Sequence, residues 1–308
     1  MHNHSDLRNS QSDSRLLSLG AAALGACATL LVQGIALADS TRFGIDAEYA
    51  HDTNVNRAAV DSEELSDHSV SAEAYAARSI LLSSRSGLVL KGAVRAAEFF
   101  DFSDLSSLAA SGRAAYRLQP SPGFTSPWVE FAGQLDGFKY RDSPIRDGYA
   151  ASIAASIGKH FTDRIRMEAG VGLDRRGGGE DGVYDLSNRK IWTALDYKLT
   201  TKATVYGSAT WFDGEQVFTM FNTAAWATQA AYAKARAADP VFSSAFGGAP
   251  IAYRVDAKTS RYELGINIAL GGNNALDLGW NHFDSRADQG GGKYDGDAFR
   301  AGYLYRFR

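Results

Sequence analysis

The chain has 308 residues, with 32 Lys+Arg against 35 Asp+Glu for a formal net charge of −3. This balance leaves no basic footprint, which argues against nucleic acid as a partner. Hydrophobic residues make up 45% of the chain and mean hydropathy is −0.24, too polar for a bundle of membrane helices but compatible with strands that alternate apolar and polar residues.

Residues 1–14 are polar, and Arg15 precedes the one long apolar run, LLSLGAAALGACATLLVQGIALA at 16–38. The run ends in Ala36-Leu37-Ala38, a small-residue cleavage pattern, so 1–38 is read as an export signal removed after Ala38 and 39–308 as the mature chain. Two alternatives stand beside it. A retained anchor is one, since the run is long enough to span a bilayer. A lipidated Cys27 in Leu24-Gly25-Ala26-Cys27 is the other. Cys27 is the single cysteine, so cleavage at Ala38 would leave a mature chain that forms no disulfide.

From residue 41 onward the pattern has period two, the signature of strands. In TRFGIDAEYA (41–50), Phe43, Ile45, Ala47 and Tyr49 oppose Arg42, Asp46 and Glu48. Residues 164–174 set Ile165, Met167, Ala169, Val171 and Leu173 against Arg164, Arg166, Glu168 and Asp174. Residues 190–199 and 261–270 repeat the scheme, the latter with Tyr262, Leu264, Ile266, Ile268 and Leu270 against Arg261, Glu263 and Asn267. Weaker versions fall near 68–82, 87–100, 107–118, 127–140, 148–159, 202–212, 275–284 and 297–308. The total is roughly twelve segments, each near the ~9–11 residues a tilted strand needs to cross a bilayer.

The connections alternate in length. Short ones hold SSRSG (83–87), HFTDR (160–164), LTTK (199–202) and GGNN (271–274), with PSPGFTSP (120–127) a little longer. The others include 51–67, 174–189, 213–253 and 284–297, with modest ones at 101–106 and 141–147. Short turns at one end and long loops at the other predict an all-β, up-and-down antiparallel barrel across an outer membrane, with about twelve strands, short periplasmic turns and long extracellular loops. A soluble sandwich is the competing fold, because charged mid-strand residues also suit a face turned to water. The longest loop, 213–253, contains the Ala-rich FNTAAWATQAAYAKARAAD, which predicts a helix near 221–238 stopped by Asp239-Pro240. It would either fold into the mouth as a constriction or pack on the rim.

The chain ends RAGYLYRFR at 300–308. Alternating aromatics at a terminus need a partner, and closure of the last strand on the first would supply it. Phe299, Tyr303, Tyr305 and Phe307 would then face lipid, and Arg300 and Arg306 would meet Asp46 and Glu48 across the seam. Arg300, Gly302, Tyr305 and Phe307 also fall on a pattern that resembles the C-terminal β-signal of Gram-negative outer-membrane β-barrel proteins. Arg308 departs from it, since many members end on the aromatic. The resemblance implies a porin-like barrel, delivered by the barrel assembly machinery to the outer membrane of a Gram-negative bacterium, with outer-membrane lipid around it.

No catalytic, cofactor or metal signature emerges. Gly170-Val171-Gly172 lacks the third glycine and helix of a dinucleotide site, and RRGGGEDG (175–182) lacks the Lys-Ser/Thr of a P-loop. There is no HExxH, and Asp61, Glu63, Glu64 and Asp67 read as a solvated loop rather than a cation site. The mature histidines are His51, His68, His160 and His282. His282 has outward parity near the outer rim, where a lipid-acting enzyme would need a nucleophile in register. Counting back from GGNN sets the outward Ser260 opposite Ser285 instead.

What remains is the interior. The charged mid-strand residues Lys91, Arg95, Arg113, Arg117, Glu130, Asp136, Arg166, Glu168, Glu263 and Arg300 are the expected pore lining. About twelve strands enclose more than the eight whose side chains fill a barrel and fewer than the sixteen of a wide porin. The expected function is a channel passing small polar or anionic solutes, the anion preference resting on Lys91 and Arg95 beside Arg113 and Arg117. A structural or surface-binding barrel with a plugged lumen is the alternative, and a lipid-acting enzyme the remotest.

Overall fold

The computed structural model describes residues 40–221, 228 and 230–307. The predicted signal, Cys27 and the Ala38 cleavage site lie outside the described residues, as do 222–227 and 229 of the predicted helix.

Strands β1 (Ser40–Asp52), β2 (Asp67–Ser83), β3 (Ser86–Phe99), β4 (Ser107–Leu118), β5 (Trp128–Tyr140) and β6 (Gly148–His160) form the first half of the wall. Strands β7 (Ile165–Gly177), β8 (Ser187–Lys198), β9 (Ala203–Met220), β11 (Ile251–Gly271), β12 (Asn274–Ala287) and β13 (Lys293–Arg306) form the second. Each pairs antiparallel with its neighbour, and β13 returns to β1 with Ile45 opposite Tyr305 and Glu48 opposite Gly302. The wall is therefore a closed barrel of 12 strands, with β10 (Ala235–Ala238) as a short extra strand beside β11.

The period-two sequence dictates which face is which. Leu135 is 67% exposed and Ile153 62%, with Leu108, Val171, Ile191 and Leu264 alike on the outside. The ionised partners in the same strands, such as Asp46, Lys91, Arg166 and Arg261, are buried inside. An outer surface this apolar, wrapped around charged residues, is stable only against acyl chains, so the barrel is a transmembrane one. The final strand obeys the same rule: Phe299, Tyr303, Tyr305 and Phe307 are exposed, Arg300 and Arg306 buried.

Large inward rings fit because glycine stands opposite them. Gly44 faces Tyr75, Gly158 faces Trp128, Gly170 faces Trp192 and Gly265 faces Tyr206 in direct cross-strand register. A Cβ at any of these glycines would overlap the ring. The ring instead lies flat along the wall and covers the bare backbone.

Turns at one end are short. In the β11–β12 turn, Gly271 and Gly272 have φ of 110° and 59°, a left-handed conformation that glycine adopts without steric cost. A bulge between Ala269 and Gly271 shifts the register there. It moves Ser260 opposite Asp284, correcting by one residue the pairing counted back from the turn.

At the other end β9 and β11 are the longest strands, of 18 and 21 residues. At about 3.4 Å per residue, β11 is some ~70 Å long, against an apolar band about 25 Å tall. Beyond Gly214 the hairpin is enclosed on both faces, and Gln216–Met220 are all buried. Phe218, Met220, Tyr253 and Val255 pack with Phe283, Tyr294 and the β1–β2 loop residues Ala59 and Val60. Val217 and Ala252 pack with Ile145, Val183, Tyr184 and Leu186 from two other loops. In the predicted helix, residues 228 and 230–232 are helical, but Ala235–Ala238 form β10. The predicted extent to 238 is thus corrected: these alanines pair with the open edge of β11, from Ala235 opposite Arg254 to Ala238 opposite Ile251, and that pairing outweighs helix propensity. One helical turn, α1 (Ser243–Phe246), follows.

Candidate functional site: the barrel interior and its outer mouth

Charges this deep must be paired or wet, and the strand register pairs them. At the seam, Arg306 on β13 reaches Asp46 on β1 at 2.9 Å, and Arg300 lies 4.0 Å from Glu48. Acidic and basic rows therefore meet where the barrel closes. Arg300 also binds Glu263 at 2.7 Å and Asp277 at 3.3 Å, and donates to the Tyr206 hydroxyl at 2.7 Å. One guanidinium thus ties β1, β9, β11 and β12 to β13.

The four basic residues on β3 and β4 are matched by their outer neighbours. Lys91 binds Glu73 on β2 at 2.9 Å, and Arg95 binds Glu48 at 3.3 Å and Ser71 at 2.7 Å. Arg113 and Arg117 share Glu130 on β5, at 3.0 and 2.6 Å. The expected basic wall is therefore neutralised locally. Farther round, Arg166 joins Glu168 at 2.6 Å and Asp196 at 2.9 Å, Lys190 joins Asp174 at 2.8 Å, and Gln134 donates to Asp136 at 2.9 Å.

All ten residues expected to line the interior do face it. Sequence reasoning missed the inward rings between them. Trp128 lies under both Arg117 and Arg166, 5.0 and 5.2 Å from their guanidinium carbons, and Tyr75 lies under Lys91 and Arg306. The glycines opposite these rings were the available signal. Two interior cavities, of about 20 and 10 Å³, are each large enough for about one water. The larger adjoins Arg113, Glu130, Glu168 and Trp192, and the smaller adjoins Asp46, Glu48, Arg95 and Arg300.

Part of the long loop lies across the outer mouth. β11 and the β3–β4 loop stand on opposite sides of the barrel order. Even so, Val241 and Phe242 pack with Phe99 and Leu105, next to Val55, and Phe242 meets Phe102 edge-on at 5.0 Å. The 239–246 segment therefore crosses the opening. Its anchor is Asp239, which takes both arms of Arg146 in the β5–β6 loop, one at 2.8 Å. Arg146 is also held by the Ser143 hydroxyl at 2.8 Å and lies over the Tyr184 ring, while its carbonyl accepts from Arg176 at 2.7 Å. Burial opposes the Arg146 charge, but the Asp239 carboxylate outweighs it and holds the guanidinium above its ordinary range. Burial also pushes the Tyr184 phenol up, so it stays a neutral ring under Arg146. The β1–β2 loop joins this layer: Thr219 donates to the Arg57 carbonyl at 3.0 Å, and Asn54 donates to the Asp295 carbonyl at 2.8 Å.

The acidic loop residues act as hydrogen-bond acceptors. Glu63 takes the Phe221 amide at 2.7 Å, and Asp67 takes the Asp101 and Phe102 amides at 3.0 Å. Among the described residues no group of three or more His, Cys, Asp or Glu could hold a metal. His282 pairs with Asp297 at 3.1 Å and stands opposite Tyr262, while Ser260 stands opposite Asp284.

No family model matches the chain, and no curated protein matches it. Solved structures do. An outer-membrane channel from Pseudomonas putida F1 superposes with a TM-score of 0.59 at 12% identity, over 90% of this chain and 98% of that one. The NanC porin gives 0.46 at 7% identity, over 85% and 98%, and the KdgM porin with disordered oligogalacturonate gives 0.44 at 10%, over 86% and 99%. The chain thus shares the closed transmembrane barrel fold of a known outer-membrane channel, with a sequence of its own.

Proposed function

We propose that this protein is an outer-membrane channel for small polar solutes that rests closed at its extracellular mouth. One observation carries the reading. Closure comes from a separate segment, 239–246, laid across the opening and anchored by the Arg146–Asp239 pair. Below it the interior is ionic over the height of the strands, a surface suited to polar solutes. Glu73, Glu48 and Glu130 offset the charge of the basic residues on β3 and β4, so this wall does not favour anions. The predicted export signal and the predicted C-terminal assembly motif are what support delivery to the outer membrane of a Gram-negative bacterium by the assembly machinery.

The competing reading is a sealed structural barrel, favoured by the dense ion pairing across the interior. Planar-bilayer recording decides between them. The wild-type protein is expected to show rare, brief conductance steps, and Asp239→Ala to raise the open fraction at least about tenfold, which is about 1.4 kcal/mol on the closing equilibrium. Silence from the wild type, from Asp239→Ala and from a chain lacking 239–246, all correctly folded, would establish the sealed barrel.

A further inference from the structure

Two of the histidines form a pair that the channel reading does not use. His51 on β1 and His68 on β2 are direct cross-strand partners with outward parity. Their rings stack with centroids 4.3 Å apart and an interplanar angle of 26°. Both lie above the outward Tyr49, and His51 stands opposite Phe299, so the pair sits at the rim where lipid gives way to water.

The ring nitrogens are differently engaged. His68 Nδ1 lies 2.6 Å from the Tyr49 hydroxyl. His51 Nδ1 is screened from solvent and has no hydrogen-bond partner among the described residues. A histidine that binds a metal through one nitrogen usually donates the other N–H to a neighbouring oxygen, which fixes tautomer and ring orientation. Tyr49 is placed to accept that hydrogen bond and leave His68 Nε2 free. Direct cross-strand partners carry Cβ atoms about 4.5–5.5 Å apart, close enough for one ion at about 2.0–2.1 Å from a nitrogen of each ring once His51 turns out of the stack and the two lone pairs converge.

We propose that His51 and His68 form a two-imidazole clamp for a borderline divalent transition ion, of the Zn²⁺, Ni²⁺ or Cu²⁺ class, on the outer rim. Imidazole nitrogen selects these ions over the oxygen-seeking Ca²⁺ and Mg²⁺, and water completes the coordination. Tyr49 is a positioning residue. The ion would tie β1 to β2 beside the seam where β13 closes on β1.

The untagged mature chain in detergent is titrated with Cu²⁺ and followed by electron paramagnetic resonance. One ion per chain is expected, with a two-imidazole nitrogen pattern. His51→Gln and His68→Gln should each weaken binding at least about tenfold, and Tyr49→Phe by about tenfold. His282→Gln should leave binding unchanged, and Zn²⁺ or Ni²⁺ should compete while Ca²⁺ and Mg²⁺ should not. Equal affinity in the His51→Gln, His68→Gln double variant, or no binding by the wild type, would reduce the pair to stacked rim aromatics. Heat-modifiable gel migration checks that each variant has closed its barrel.

Discussion

Glu130 shows how much one side chain does inside this wall. It satisfies Arg113 and Arg117 together, and Arg117 and Arg166 both lie over the ring of Trp128 on the same strand as Glu130. Removing it would leave two guanidiniums without their shared anion in a cramped interior. Glu130→Ala is expected to cost about 3–5 kcal/mol, read as a lower urea midpoint for unfolding in detergent. Glu130→Gln should cost less, since the amide oxygen still accepts. The glycines opposite the inward rings are as exacting. At Gly170 a side chain would displace Trp192, so Gly170→Val should abolish the slow-migrating folded band on unheated gels, whereas Gly112, with open space around its Cβ position, should tolerate alanine.

At the scale of elements, strand parity was legible and loop placement was not. Lipid and lumen impose opposite chemistry on alternate residues, so Ile191 against Lys190 or Tyr305 against Arg306 announces its own facing. The acid–base seam followed from the same parity once closure was assumed. Outside the apolar band that contrast fades. Phe218, Tyr253, Val255 and Phe283 face inward though they are apolar, because the β9–β11 hairpin and the β1–β2 loop bury one another in the mouth. Nothing local in the sequence distinguishes that from a solvated rim. The β10 alanines had strong helix propensity, and only the edge of β11 overrides it. The Arg146–Asp239 pair joins residues 93 apart, so no spacing rule could reveal it. The mouth should still be separable from the wall. Phe242→Ala should speed amide exchange across 239–246 with no change on β3 or β4, as followed by mass spectrometry. Loss of protection throughout the barrel would show that the crossing segment holds the wall together.

The whole molecule depends on its sidedness. Leu135 lies mid-strand on the lipid face, and Leu135→Arg is expected to cost about 2–4 kcal/mol of stability in a bilayer, while Ser156→Ala on the inward face should cost less. The sensitive readout is folding yield into lipid vesicles, and equal yields for Leu135→Arg and wild type would contradict a lipid-facing Leu135. The P. putida channel shares this architecture at 12% identity, which fits a fold specified by alternation and closure more than by particular residues.

The seam pairs Gly44 with Arg306, on the first and last strands of the barrel. No cylinder exists until β13 arrives, so closure has to wait for that strand and cannot be locked in piecemeal along the nascent chain. Once shut, the ring offers no loose end from which to unzip. Longevity in the membrane should then be a matter of slow escape more than of deep equilibrium, and a chain cut short before Tyr303 should be degraded rather than persist as a partial barrel.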